Sequence, residues 1–143
     1  MCLKTEMKKI FLFLGILFSG FVSAQELAGD DYLMLHSSSD TLTGNYIFKL
    51  TKQVYFGFNI KTNAAENHYG TSKKRVKALF DFAEKIKFTS MKSLDEKQNS
   101  GNDFSVIEYR KDGIVYRVCW DTNAMDENSV NLNKLKEMMN SFW

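Results

Sequence analysis

The sequence predicts an α+β domain: an antiparallel sheet of four or five strands with two helices packed on one face, in the order ββαββα. Three observations carry this. Residues 104–121, FSVIEYRKDGIVYRVCWD, alternate in character about a central Asp112-Gly113. Residues 42–60 are rich in Tyr, Phe, Ile and Val, as strands are. Two further stretches, beginning near Ser72 and near Asn131, repeat apolar residues at helical spacing.

The elements follow in chain order. Residues 32–36 read as a brief strand, and the serine-rich stretch after them as a turn. Residues 42–50 and 54–60 are strands; the break between them, Thr51-Lys52-Gln53, is either a hairpin turn or a bulge in one long strand. Residues 62–71 form a polar loop. Ser72 caps a helix to about Phe88 that puts Val76, Leu79, Phe80, Ala83 and Ile86 on one face. A polar connector covers residues 91–103.

Asp112-Gly113 suits a type I′ turn, in which both central residues need positive φ. A two-residue loop pairs Tyr109 with Tyr116, Glu108 with Arg117, Ile107 with Val118 and Val106 with Cys119. Ile107, Tyr109, Ile114, Tyr116, Val118 and Trp120 then share one face, which is expected to bury against the helices. The mixed face, with Glu108 and Arg117 as an exposed cross-strand ion pair, is expected to meet solvent. A loop over residues 122–128 leads to the last helix, where Leu132, Leu135, Met138, Met139 and Phe142 make one stripe.

A shift of 60 residues lays Val54, Phe56, Phe58 and Ile60 on Ile114, Tyr116, Val118 and Trp120, and Thr62-Asn63-Ala64 on Thr122-Asn123-Ala124. The two halves, about 41–88 and 103–143, therefore read as candidate copies of one ββα unit.

Residues 1–24 have the form of an export signal. Lys4, Lys8 and Lys9 precede an apolar run over residues 10–22, and Val22-Ser23-Ala24 offers small residues for cleavage before Gln25. The apolar run is shorter than the roughly 20 residues that span a bilayer, so a cleaved signal is expected rather than an anchor. The signal carries three lysines and one glutamate, the whole formal charge of +2, and leaves 16 basic and 16 acidic side chains behind. A neutral mature chain gives no support to nucleic-acid binding, and no later segment is long and apolar enough for a transmembrane helix. The reading is a single domain over residues 25–143 that is periplasmic or secreted.

Cleavage leaves Cys119 as the sole cysteine, so no intramolecular disulfide is available. Nothing in the sequence calls for a cofactor or a metal. His36 and His68 are far apart, and the oxygen-rich Asp121, Asn123, Asp126 and Glu127 lack the order of a calcium loop. His36 with Ser37–Ser39 and Asp40 has the letters of a hydrolase triad but sits in one short strand and turn.

The specific site expectation is anion binding by Lys73, Lys74, Arg75 and Lys77. Cations in a first helical turn oppose the macrodipole, and with the free N–H groups they suit a carboxylate, phosphate or sulfated sugar. Tyr46, Phe48, Tyr55, Phe58, Tyr69 and Phe82 do not all fit the core-facing side, which leaves a partner patch or a second cluster. The function expected is a small non-catalytic binding module of the cell envelope or extracellular space, recognising a protein, peptide or glycan, with a homodimer also open. The alternative is a small secreted enzyme using Cys119 or a histidine–carboxylate site.

Overall fold

The fold is known from a computed structural model, which describes residues 27–37, 40–59, 61–99 and 101–143. The expected signal, residues 1–24, lies outside them. Among the described residues, the unit that begins at Asp31 holds every strand and the helices of 13 and 14 residues. In order these are β1 (Tyr32–Ser37), β2 (Asp40–Phe48), β3 (Gln53–Asn59), β4 (Asn67–Gly70), α1 (Lys73–Lys85), β5 (Phe104–Lys111), β6 (Ile114–Asp121) and α2 (Glu127–Asn140).

The class is α+β with one antiparallel sheet, but the sheet has six strands rather than four or five, in the order β4-β3-β2-β1-β5-β6. The sixth strand is β4. The supposed polar loop contains β4, a four-residue edge strand with every residue exposed, so no hydrophobic alternation marks it. The brief strand β1 is real and central, paired with β2 on one side and β5 on the other. Residues 49–52 make a hairpin turn between β2 and β3, with Lys52 at φ 55° supplying the reversal that its neighbours' chemistry conceals.

The β5–β6 hairpin matches its expected register at every pair from Phe104↔Asp121 to Lys111↔Ile114. Asp112 and Gly113 have φ of 51° and 80°, as a type I′ turn requires. The Asp112 amide also donates to Asp31 Oδ1 at 2.8 Å, which ties the turn to the start of β1.

Ser72 caps α1, its hydroxyl accepting from the Arg75 amide. The helix stops at Lys85, three residues short of expectation, because Lys87 enters the left-handed region and starts a 3-10 turn, Phe88–Ser90. Helix α2 begins four residues before the expected start, at Glu127. Asp126 is its cap, accepting from Ser129 N at 3.1 Å and Ser129 Oγ at 2.6 Å. Both helices lie on one face of the sheet. There Leu33, Ile47, Val54, Ile107, Tyr109, Val118 and Trp120 pack with Val76, Leu79, Phe80, Leu132, Leu135 and Met139. Tyr109 donates to Glu84 at 2.7 Å and Trp120 Nε1 to Asn133 at 2.9 Å, so two rings that fill the core also fasten a helix each.

The opposite face is not the solvated surface expected. Tyr32, Met34, Tyr46, Phe48 and Phe58 on it are buried. Their rings meet edge-on, Tyr32 with Tyr46 at 5.0 Å and Tyr46 with Phe58 at 5.1 Å, forming a second cluster. The expectation came from β5 and β6 alone, whereas the aromatic side chains come from β1, β2 and β3. A bulge puts Tyr55 and Phe58 in mutual contact: Gly57 takes φ 59° and donates to Asn45 Oδ1 at 3.0 Å.

That bulge also distinguishes the two candidate copies. Phe58 lies in the second cluster, while Val118, its counterpart at a shift of 60, packs against the helices. Strand β4 intervenes before α1 in the first half, and nothing comparable precedes α2.

Gly44 faces His36 across the β1–β2 pair. A Cβ there would meet Met34 Cε at 2.5 Å and the Leu35 carbonyl oxygen at 2.6 Å. The carbonyl is backbone and cannot swing aside. Gly44→Ala is expected to lower stability by about 1–3 kcal/mol, read as a lower urea midpoint.

Candidate functional site

The site is built where β1, the short central strand, meets β5. Met34 sits opposite Glu108 in the register, so Tyr32 and His36, two residues to either side on the same face, flank the Glu108 carboxylate. Tyr32 OH donates to Glu108 Oε1 at 2.6 Å. His36 Nε2 lies 3.5 Å from Oε2, an electrostatic contact longer than a good hydrogen bond. Arg117, paired with Glu108 across the hairpin, also reaches Oε2 at 3.5 Å. Its guanidinium is held in two-pronged fashion by Glu96, with Nη2 to Oε2 at 2.7 Å.

The Glu108–Arg117 pairing is therefore as expected, but its exposure is not. The Glu108 side chain is only 14% exposed. Burial pushes its pKa up, yet the nearness of His36, the Tyr32 hydrogen bond and the Arg117 charge outweigh this and hold it below its usual value. Glu108 is a largely buried carboxylate that stays ionised.

Burial raises the pKa of Tyr32, and the contact with Glu108 raises it further. Tyr46 is raised by burial and the Glu108 charge, Tyr109 by burial and its bond to Glu84. All three phenols thus ionise more readily unfolded than folded. The stability this contributes is complete below about pH 10, the unfolded value, and is lost as pH rises beyond it. An alkaline titration is expected to show their absorbance change arriving together with loss of the folded near-ultraviolet dichroism.

Two cavities flank residues 35–37 at the end of β1. One, of about 350 Å³, lies towards β5 and is lined by Glu96, Phe104, Ser105, Arg117 and Lys136 among others. The other, of about 380 Å³, lies towards β2 and β3, against Gly44, Asn45, Phe56, Gly57 and Glu66. His36 lines both, its side chain is 6% exposed, and among the described residues neither ring nitrogen has a hydrogen-bond partner.

The residues singled out from the sequence fare differently. Cys119 is buried, its Sγ 4.0 Å from the Asn99 carbonyl oxygen, and burial pushes the thiol's pKa up. That is the opposite of an activated nucleophile. His68 is exposed and stacked on Tyr55. Asp121 and Asn123 are engaged within their own loop, and Asn123 also holds Asp103. Among the described residues no group of three His, Cys, Asp or Glu could hold a metal, and no helix is long and apolar enough to cross a membrane.

The four cations at the start of α1 do not converge. Arg75 donates to the Ser141 carbonyl and lies over the Phe142 ring at 4.4 Å, while Lys77 pairs with Asp81 one turn on. Lys73 and Lys74 are exposed.

Glu96 and Lys136 were missed. Glu96 comes from the polar connector, which runs beside β6: Ser93 Oγ accepts from the Cys119 amide and the Leu94 amide donates to the Cys119 carbonyl, both at 2.9 Å. No family model matches the chain, and no curated protein or solved structure matches it either.

Proposed function

We propose that this chain is a small exported binding module without catalytic activity, and that its ligand sits in the notch around His36. One observation carries the reading: a largely buried, ionised Glu108 lies 3.5 Å from an imidazole that has no hydrogen-bond partner among the described residues and that lines two cavities. Such a group is costly to leave unpaired, and a ligand hydrogen bond would relieve that cost. The setting favours binding over catalysis, since the Cys119 thiol is buried and Tyr32 is held as a phenol. The form of residues 1–24 supports export, to the periplasm or beyond the cell, where a protein, peptide or glycan would be the partner.

Amide chemical shifts measured against a panel of amino acids, short peptides and sugars test this. Shifts grouped at residues 35–37 and 104–106, and lost in His36→Ala, support the reading. Shifts confined to other surfaces, or turnover of a panel member, would overturn it. The exposed Lys73 and Lys74 are a second place for an anion in the same module. Unchanged anion affinity after charge reversal at both would remove it.

A further inference from the structure

We propose that His36 is a proton-operated clasp on the notch: its protonated ring fastens the end of β1 to Glu108 on β5 and releases the ligand that the neutral ring holds. The inference rests on the notch being the ligand site and adds how that site is regulated.

Two incomplete groups face each other there. The Tyr32 hydroxyl satisfies Glu108 Oε1 at 2.6 Å. Among the described residues Oε2 has only two contacts, both at 3.5 Å, from Arg117 Nη1 and His36 Nε2. Arg117 is committed by its two bonds to Glu96. Both ring nitrogens of His36 are buried and have no hydrogen-bond partner among the described residues. One proton completes the pair. Taken from water by the free ring nitrogen, it makes both nitrogens donors, and Nε2–H then donates to Oε2 with opposite charges assisting. Imidazole changes charge between about pH 5 and 8. Glu108 is ionised throughout that range, its pKa being held below the usual value by His36, Tyr32 and Arg117.

The backbone lets this contact act on the notch. Pairing of β1 with β5 ends at Leu35↔Ile107, and the β1–β2 register shifts between His36 and Ser37. His36 is therefore the first residue past the last partner on β5, and its ring lines both cavities. Drawing Nε2 in to about 2.8 Å from Oε2 moves a wall that the two cavities share. Protonation also turns the nitrogen that accepts in the neutral ring into a donor, so a ligand hydrogen bond to it is lost.

Among the described side chains, the other titratable or charged groups around the ring come from several elements. Tyr32 on β1 and Tyr46 on β2 are held as phenols by burial and by Glu108. Arg110 lies opposite Tyr32, on the far side of Glu108 from His36. Glu96, Arg117 and Lys136 line the cavity towards β5, and Glu66 the one towards β3.

The test uses the purified full chain, isotopically labelled and titrated between about pH 5 and 8 with both histidine rings followed. His68, exposed and stacked on Tyr55, is the internal reference. The His36 ring is expected to titrate with the fold intact, and the amides of residues 35–37 and 107–108 to shift at its midpoint rather than at that of His68. Glu108→Gln should weaken proton binding at His36 about tenfold or more and leave His68 unchanged. A slowly exchanging Nε2–H signal in acid is the reading that needs no variant. The panel of amino acids, short peptides and sugars, repeated at both ends of the titration, should bind about tenfold more weakly in acid. A His36 ring that does not titrate in the folded chain, or that titrates identically in Glu108→Gln, would overturn the clasp. So would absence of the Nε2–H signal, or equal panel affinity at the two ends. Titration as described, with no panel member shifting a notch residue at either end, would support the proton contact and overturn the notch as the ligand site.

Discussion

Glu108→Leu is expected to lower stability by about 3 kcal/mol, as measured by urea unfolding. The substitution removes the acceptor of the Tyr32 hydroxyl and the charge beside His36, in a place where both side chains are buried. Arg117 keeps its two bonds to Glu96, which limits the loss. Glu108→Gln should cost less, since an amide oxygen still accepts from Tyr32. The pH dependence gives a second signature. The folded pKa of Glu108 lies below its unfolded value, so its contribution is present above about pH 4.3 and lost as pH falls through the folded value. Glu108→Leu should therefore show a shallower loss of stability in acid than wild type. Part of the slope should survive through Glu84, whose pKa is lowered by its bonds to Lys111 and Tyr109.

Leu33→Ala is expected to cost about 2–5 kcal/mol. Leu33 has no exposure and lies in the middle of the sheet, on the strand that joins the β2–β3 side to the β5–β6 side. A side chain on a marginal strand at the sheet's border would cost far less, so the urea midpoint of this variant separates the two placements of β1. A midpoint within experimental error of wild type would show that β1 is not central.

The parts of the fold legible in the sequence were those set by local chemistry. Asp112-Gly113 determines a turn and hence a register, and the alternation of residues 104–121 leaves no other register that pairs Glu108 with Arg117. Ser72 announces a helix start because its hydroxyl has an amide three residues on to bind. The stripes Val76–Ala83 and Leu132–Phe142 need only a period. What stayed hidden depended on distant partners. Nothing in YLMLHS says that it lies between β2 and β5.

The candidate site was hidden for the same reason. Tyr32 and His36 share a face by simple alternation, but Glu108 joins them only through the β1–β5 pairing, across 76 positions from Tyr32. Glu96 sits in a polar connector whose composition suggests only solvation, and its role depends on residues 93 and 94 docking beside Cys119. Lys136 reads as the solvent side of a helix until Ser105 is placed beneath it. The cations of α1 were conspicuous in sequence because they adjoin one another, yet two of them are drawn to unrelated partners.

The two borders of the sheet differ in a way that bears on assembly. Along β6, the segment carrying Ser93 and Leu94 engages the outward-facing amide and carbonyl of Cys119. Along β4, four exposed residues are bordered, among the described residues, by β3 alone. A row of exposed backbone groups along β4 is a place where a strand of a second copy can pair. An antiparallel pairing of β4 with its own copy would be isologous and would join two sheets into one.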